Sequence, residues 1–261
     1  GALRFMQGFI KKVFIADSIE PLVSHAFSLA HPTTADAWLG ALAYTAQLYF
    51  DFSGYSDMAI GLGLMMGFRF VENFNQPYIS QSITEFWRRW HMSLSSWLRD
   101  YLYISLGGNR GGSWFTYRNL LLTMVLGGLW HGASWNFVIW GALHGGALAV
   151  NRMWQRRHGT GEPGKATPVG KWTPWRVASV FLTFHFVCFA WIFFRAPSFA
   201  HAIAILAQMG KLSFATPNLV PRILAVLALG FVTHWIPDGA YNKLRDLFTR
   251  SPAVAQGVVV A

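Results

Sequence analysis

Residues 127–136 read GGLWHGASWN and place His131 between glycines and tryptophans in the middle of a long apolar run. No charged side chain occurs from Asn119 to Asn151. At a rise of about 1.5 Å per residue, this run is long enough to cross a bilayer once, or to form two shorter helices with a hinge near His131. An ionisable residue at membrane depth is costly and indicates a functional site; the alternative is a structural histidine bonded between helices.

The composition is typical of an all-α, polytopic integral membrane protein. Of the 261 residues, 53% are hydrophobic, 16% are aromatic and 12% are charged, and the charged share of soluble domains is about a quarter. The net charge of +10 does not predict a nucleic-acid partner, because the basic residues cluster in short segments between apolar spans. The single cysteine, Cys188, excludes a disulfide framework and a cysteine-based zinc site within this chain.

Two apolar segments predict membrane spans in the second half of the chain, a clear one over 177–194 and a shorter one over 223–236. A basic loop precedes them, and the positive-inside rule predicts that it is cytoplasmic. Its basic residues are Arg152, Arg156, Arg157, Lys165, Lys171 and Arg176. The chain opens in an amphipathic segment, 4–30, which predicts an interfacial helix, and stops in an apolar run, 253–261. We therefore expect a fragment of a longer protein.

Two aspartates interrupt the apolar segment from Ala37 to Phe68. Asp51 or Ser53 predicts the N-cap of a new helix, with a break at Gly54. Asp57 predicts a buried ion pair, because a carboxylate in a spanning segment must face protein, water or a cation. A small-residue face for tight helix packing is predicted at Gly61, Gly63 and Gly67. Upstream, residues 33–36 (TTAD) predict the N-cap of the helix that carries these residues.

Residues 84–100 read TEFWRRWHMSLSSWLRD and predict one helix with Trp87, His91, Arg88 and Arg99 on one face. A neighbouring guanidinium favours a neutral imidazole, which accepts a proton or a hydrogen bond. An interfacial helix with snorkelling arginines and a tryptophan belt is the alternative. The glycine-rich residues 106–112 lack a Walker signature and predict a turn. The alternative is that Arg110 in this turn holds a coenzyme phosphate.

Several motifs together resemble the membrane-bound O-acyltransferase family, in particular its alginate O-acetyltransferase-like bacterial branch. The resemblance covers about residues 4–151. The motifs are QLYFDFSGYSDMAIG (47–61), FNQPY (74–78), FWRRWHMSLSSW (86–97) and WHG (130–132). The resemblance implies a ring of tilted and short helices around a central tunnel, and a single membrane-embedded acyltransferase domain over 1–261.

The family pattern is an essential histidine with an Asn, Asp or His roughly forty positions upstream, which here implies His131 and His91 as the catalytic residues. We expect His131 to act as general base, or to form an acyl-histidine intermediate. His91 would orient the acceptor or the thioester carbonyl and help to stabilise the oxyanion. We expect Trp130, Arg88 and Asn136 to bind substrate.

The resemblance implies transfer of an acyl group, most simply acetyl, from a cytoplasmic thioester such as acetyl-CoA to a hydroxyl acceptor for exopolysaccharide modification. We expect no bound cofactor and no metal site. The expected location is the bacterial inner membrane, with several spans. The expected partners are the lipid bilayer, periplasmic acetyltransferase-type proteins and the polysaccharide. Transfer of D-alanyl groups to a cell-wall polymer, or a transporter in which Asp57, His91 and His131 carry protons, are the alternatives.

Overall fold

The computed structural model describes residues 1–29, 32–158, 172–211, 221–236 and 238–252, and in these residues every regular element is helical. The predicted all-α class is confirmed. The elements, in chain order, are α1 (Ala2–Phe9), a π-helix (Ile10–Ala16), α2 (Asp17–Ser28), α3 (Thr34–Met65), a 3₁₀ turn (Pro77–Ile79), α4 (Ile83–Arg89), α5 (Met92–Trp97), a second π-helix (Leu98–Tyr103), α6 (Ser113–His131), α7 (Trp135–His158), α8 (Pro174–Arg195), α9 (Phe199–Met209), α10 (Pro221–His234) and α11 (Asp238–Arg250).

Among the described residues, α8 is the one helix long and apolar enough to cross a membrane by length and composition. It contains the predicted span over 177–194, which is confirmed as a helix. The shorter predicted span over 223–236 corresponds to α10, which is apolar but too short to pass the same test. Lys165 and Lys171 of the predicted basic loop, and the terminal apolar run, lie outside the described residues.

Helix α3 begins as predicted and continues further than predicted. The Thr33 hydroxyl accepts a hydrogen bond from the Asp36 N–H at 3.1 Å, and the Asp36 carboxylate accepts one from the Thr33 N–H at 3.0 Å. These reciprocal bonds cap the helix start. The predicted break at Gly54 is wrong, because α3 runs without interruption from Thr34 to Met65.

The described chain divides into two compact units. The first consists of Gly1–Ser24, Ala43–Glu72 and Asn218–Ala261, and the second of His25–Leu42 and Asn73–Pro217. Helix α3 contributes to both units. The predicted single domain stays a prediction.

In the first unit, glycines let α1 and α3 approach each other at backbone distance. A Cβ on Gly54 would lie 2.7 Å from the carbonyl oxygen of Gly8, and a Cβ on Gly61 would lie 2.5 Å from the backbone nitrogen of Phe5. Real Cβ atoms do not come so close to a backbone, so only glycine permits this crossing. Gly54 is therefore a packing residue and not a helix break.

The small-residue face predicted on this helix is confirmed at Gly61 and not at the other two positions. A Cβ on Gly63 would meet the ring of Phe70, which is a side-chain neighbour. Gly67 has no atom within 4 Å of such a Cβ and adopts a φ of +86°, beyond the last residue of α3. Its role is to allow the left-handed turn that follows the helix.

Asp57 forms the buried ion pair that the sequence predicts. It is 5% exposed, and its two carboxylate oxygens lie 2.7 Å from Arg4 Nη2 and 2.7 Å from Lys11 Nζ. Both cations come from the chain segment that crosses α3. These two ion pairs therefore add charge complementarity to the glycine contact, and removal of both cations would leave a buried carboxylate without a charged partner at these positions.

In the second unit, α6 and α7 form a tightly packed helical hairpin. A Cβ on Gly141 would lie 2.9 Å from Val125 Cα, and one on Gly145 would lie 2.8 Å from Leu121 Cα. On α6, a Cβ on Gly128 would lie 3.1 Å from the backbone carbonyl carbon of Phe137. This close packing fixes the end of α6, where His131 lies.

We expect Gly61→Ala to destabilise the protein by about 1–3 kcal/mol, the usual cost of overpacking, because the new methyl group meets backbone that cannot rotate away. The matched control is Gly146→Ala in the middle of α7, where no atom lies within 4 Å of the added Cβ. There alanine should be neutral or stabilising by about 0.5–1 kcal/mol. Thermal unfolding in detergent measures both variants. Equal melting temperatures would contradict the close crossing.

Candidate functional site

His131 is the last residue of α6, at a sharp bend in the chain. Helix α7 begins only four residues later, and the intervening turn is closed by a hydrogen bond of 2.9 Å from the Ser134 N–H to the Gly132 carbonyl. The prediction of two helices with a hinge near His131 is confirmed, and a single continuous span is excluded.

The imidazole of His131 is half-buried among aromatic rings. Its ring centroid lies 4.9 Å from that of Trp130, 5.4 Å from that of Trp140 and 4.9 Å from that of Phe194. Trp140 comes from the first half of α7 and Phe194 from the end of α8. Three helices thus supply an apolar wall around one polar side chain.

His91 lies at a break between two short helices, and the prediction of one helix over 84–100 is wrong. Helix α4 ends at Arg89, Trp90 is extended, and His91 adopts the left-handed conformation with φ 43° and ψ 56° before α5 begins at Met92. Few residues other than glycine adopt this conformation, and such strain is concentrated at functional sites.

The break results from hydrogen bonds to a distant segment. The Met92 N–H donates to the Asn73 carbonyl at 2.9 Å, and the Asn75 N–H donates to the Arg89 carbonyl at 2.9 Å. These bonds use backbone groups that a continuous helix would pair internally. The segment around Asn73 therefore holds the chain open at His91.

The Asn73 side chain completes this arrangement. Its Oδ1 lies 3.2 Å from His91 Nδ1 and accepts hydrogen bonds from the Ser93 N–H at 3.2 Å and the Ser93 hydroxyl at 3.0 Å. Asn73 was missed by the sequence analysis. The residue alone carries no signal, because it lies 18 positions before His91 and its role depends on the fold.

His131 lies close enough to His91 for its charge to act on that imidazole, although 40 positions separate them in the sequence. Burial, together with the nearby charge of His131, lowers the pKa of His91 to about 4. The imidazole of His91 is therefore neutral at pH 7. The neutral imidazole predicted from the sequence is confirmed, but its cause is not a neighbouring guanidinium. The cause is burial first and the charge of His131 second.

A buried hydrogen bond connects α4 to α7. The Trp87 indole N–H donates to His144 Nδ1 at 3.2 Å, and His144 is fully buried. Its ring also lies 4.8 Å from that of Trp140, the tryptophan that contacts His131. His144 is therefore surrounded by structural contacts.

A cavity of about 570 Å³ opens beside Trp87 and Met92, the second of which adjoins His91. Its lining is mostly apolar, with Arg88 and Arg99 as the charged members. Neither His91 nor His131 is among the lining residues. The remaining lining residues are Thr84, Ser95, Ser96, Leu98, Tyr103, Leu120, Thr123, Met124 and Leu148.

Positive charge gathers at this cavity. Burial lowers the pKa of Arg88; the nearby Glu85 carboxylate opposes this shift, and the nearby charge of Arg152 adds to it. Arg99 forms an ion pair of 2.7 Å with Asp100 on the exposed surface. An apolar cavity with arginines at its edge suits a ligand that has a neutral arm and an anionic group.

The three residues expected to bind substrate are placed differently. Arg88 lines the cavity. Trp130 is 66% exposed beside His131 and does not line the cavity. Asn136 is 4% exposed, and its amide donates a hydrogen bond of 2.8 Å to the Ala196 carbonyl just after α8. Substrate contact at Asn136 stays a prediction, and its amide already has a structural partner.

Comparison with known proteins gives matches over most of the chain. The model of the MBOAT, membrane-bound O-acyltransferase family matches residues 3–191. The chain is 80% identical over 152 residues to the probable alginate O-acetylase AlgI of Azotobacter vinelandii (58% of the chain, 30% of the relative). It is 55% identical over 259 residues to the protein of the same name in Pseudomonas fluorescens (97% and 49%).

A third relative is the peptidoglycan O-acetyltransferase of Helicobacter pylori, which is 44% identical over 210 residues (80% of the chain, 38% of the relative). The chain spans less than half the length of each of these three relatives.

We expect His91→Asn and His91→Ile to differ in stability, although both lack the imidazole. Asparagine tolerates the left-handed conformation and a β-branched side chain does not, so the isoleucine variant should be less stable by about 1–3 kcal/mol. Side-chain hydrophobicity alone would favour isoleucine at this half-buried position, so the expected sign is diagnostic. Thermal unfolding of both variants in the same detergent measures the difference, and an isoleucine variant as stable as the asparagine variant would refute the strained backbone.

Proposed function

Because the chain belongs to the membrane-bound O-acyltransferase family, we propose that it is the catalytic part of a membrane O-acyltransferase that acetylates a polysaccharide hydroxyl. The observation that carries this proposal is the pairing of His131 and His91, which helix ends from separate parts of the chain bring together in an aromatic, half-buried setting. Two imidazoles in such a setting are suited to general base catalysis of acyl transfer.

In the proposed reaction, a hydroxyl oxygen of the acceptor attacks the carbonyl carbon of an acetyl thioester. His131 takes the hydroxyl proton as the new C–O bond forms. The C–S bond then breaks, and His131 returns the proton to the leaving thiolate, which gives an ester and a free thiol. The apolar wall of Trp140 and Phe194 limits the access of water, which would otherwise compete as the acceptor.

The cavity beside Trp87 is the proposed site for the thioester donor, with acetyl-CoA as the simplest candidate. Its apolar lining fits the neutral arm of such a donor. Arg88 and Arg99, with Arg152 close by, fit the phosphate groups. The donor is a substrate, and the proposal requires no bound cofactor and no metal ion.

The relatives support the choice of acyl group and acceptor. The three proteins described above are named as O-acetyl enzymes of alginate or peptidoglycan, which favours acetyl over D-alanyl transfer and a polysaccharide as the final acceptor. We place the protein in the bacterial inner membrane with several spans, as helices around a tunnel that connects a cytoplasmic donor to the other side. Its proposed partners are the lipid bilayer and periplasmic acetyltransferase-type proteins.

We expect His131→Ala to lower acetyl transfer by about 100- to 10,000-fold, the usual contribution of a general base. The assay follows label from radioactive acetyl-CoA to polymer or partner in membranes that contain the full-length parent protein. The control is His25→Ala, which removes an exposed histidine of α2 that does not line the cavity. Equal transfer by wild type and His131→Ala, at equal expression, would favour transport or a scaffold role instead.

We expect Arg88→Ala to raise the KM for acetyl-CoA by about tenfold or more, which corresponds to the loss of one charge-assisted hydrogen bond of about 1.5–3 kcal/mol. The comparison is Arg110→Ala, which removes an exposed arginine at the tip of the glycine-rich turn. If the turn and not the cavity holds the donor phosphate, the Arg110 variant will show the higher KM and the Arg88 variant an unchanged one. Saturation curves for the donor separate the two.

A further inference from the structure

The contacts of Asn73 identify which nitrogen of His91 carries the proton. The backbone N–H of Ser93 can only donate, and it lies 3.2 Å from the terminal side-chain atom of Asn73. That atom must therefore be the amide oxygen and not the amide nitrogen. The same oxygen lies 3.2 Å from His91 Nδ1. Two acceptors at this distance would repel, so Nδ1 must carry a hydrogen.

The neutral imidazole has a single N–H. At a pH above the low pKa of His91, about 4, that hydrogen is on Nδ1 and points to Asn73. Nε2 is then the nitrogen that carries the lone pair. The Ser93 hydroxyl lies 3.4 Å from His91 Nδ1 and 3.0 Å from Asn73 Oδ1. The shorter distance and the fixed Ser93 N–H both favour donation of the hydroxyl to Asn73, which leaves Nδ1 as donor.

We propose that Asn73 is a positioning residue that holds His91 in the Nδ1–H tautomer, so that His91 accepts a hydrogen bond from a hydroxyl of the acceptor substrate through Nε2. This inference rests on the proposed function and assigns a role within it. A neutral imidazole whose one hydrogen is bound to Asn73 has no donor left for an oxyanion. Of the roles expected for His91, the proposal keeps orientation of the acceptor. It excludes orientation of the thioester carbonyl and stabilisation of the oxyanion, because both need a donor.

The contacts of Asn73 suit a residue that acts on the substrate through His91. Its main-chain carbonyl is fixed by the Met92 N–H and its side chain by Ser93, so both ends are attached to the first turn of α5. Phe74 stacks on the His91 ring with centroids 6.4 Å apart and an interplanar angle of 29°. His131 is a titratable neighbour whose charge affects His91. These contacts hold the ring at Nδ1 and against Phe74.

The test is Asn73→Asp in the full-length protein. A carboxylate keeps an acceptor for the Ser93 N–H and for His91 Nδ1, but its charge stabilises the imidazolium and raises the pKa of His91 by about 1–3 units. Below the raised value, Nε2 carries a proton and cannot accept a hydrogen bond. We expect the acid limb of the pH–rate profile to move upward by at least about one unit, with the wild-type rate approached at high pH.

Asn73→Ala provides the contrast. It should lower kcat by about 10- to 100-fold, the usual effect of removing a partner that orients a histidine, and high pH should not restore the rate. A role in folding alone predicts that both variants lose activity in proportion to the amount of folded protein, at every pH. Ser93→Ala, which keeps the backbone N–H, should leave the position of the acid limb unchanged.

The outcomes separate this inference from the proposed function. If wild type transfers acetyl groups and His131→Ala does not, the proposed function holds. In that case an Asn73→Asp variant with the wild-type pH–rate profile overturns the role of Asn73. If wild type and His131→Ala are equally active or inactive with acetyl-CoA, the proposed function itself fails, whatever the Asn73 variants do.

Discussion

The close approach of α6 and α7 is the constraint on which the candidate site depends. Gly141 and Gly145 bring α7 onto the backbone of α6 at Val125 and Leu121, so the two helices leave their shared turn at a fixed separation. His131 at the end of α6 then faces Trp140 on α7. A side chain at Gly141 or Gly145 would separate the two helices and move the aromatic residues of α7 away from His131. The glycines therefore affect the site indirectly, because they set the separation of α6 and α7.

An aromatic cluster connects α7 to α4 and α8. Its members are Trp140 and His144 of α7, Trp87 of α4 and Trp191 of α8. Trp140 stacks on Trp191 at 5.6 Å, and the buried His144 accepts the indole hydrogen of Trp87. Each aromatic pair contributes about 0.5–1.5 kcal/mol beyond its buried area, and a net hydrogen bond contributes about the same. No single contact dominates, but together they fix the side chains of three helices. Trp87 connects this cluster to the candidate site, because it lines the cavity and lies four positions before His91.

Features set by neighbouring residues could be predicted from the sequence, and features set by distant contacts could not. The hinge after His131 is encoded by Gly132 and Ser134 next to it, and the ion pair of Asp57 follows from the cost of an unpaired carboxylate among apolar residues. Gly54 was misread because a glycine within a helix indicates a break when seen alone, and close packing only when Gly8 is known to lie opposite. The helix break at His91 was missed for the same reason. Its cause, Asn73, lies outside any local window.

The backbone at His91 also explains a property of the family pattern. The position roughly forty residues before the essential histidine carries Asn, Asp or His, three side chains that are chemically different: an amide, a carboxylate and an imidazole. Their common property is tolerance of the left-handed conformation, in which all three are enriched among residues other than glycine. His91 adopts this conformation at φ 43°. With the role proposed for His91, the constraint on this position is double: the residue fits a strained turn and also offers an acceptor atom. Glycine meets the first requirement only, and glutamine or serine would meet the second at a higher conformational cost.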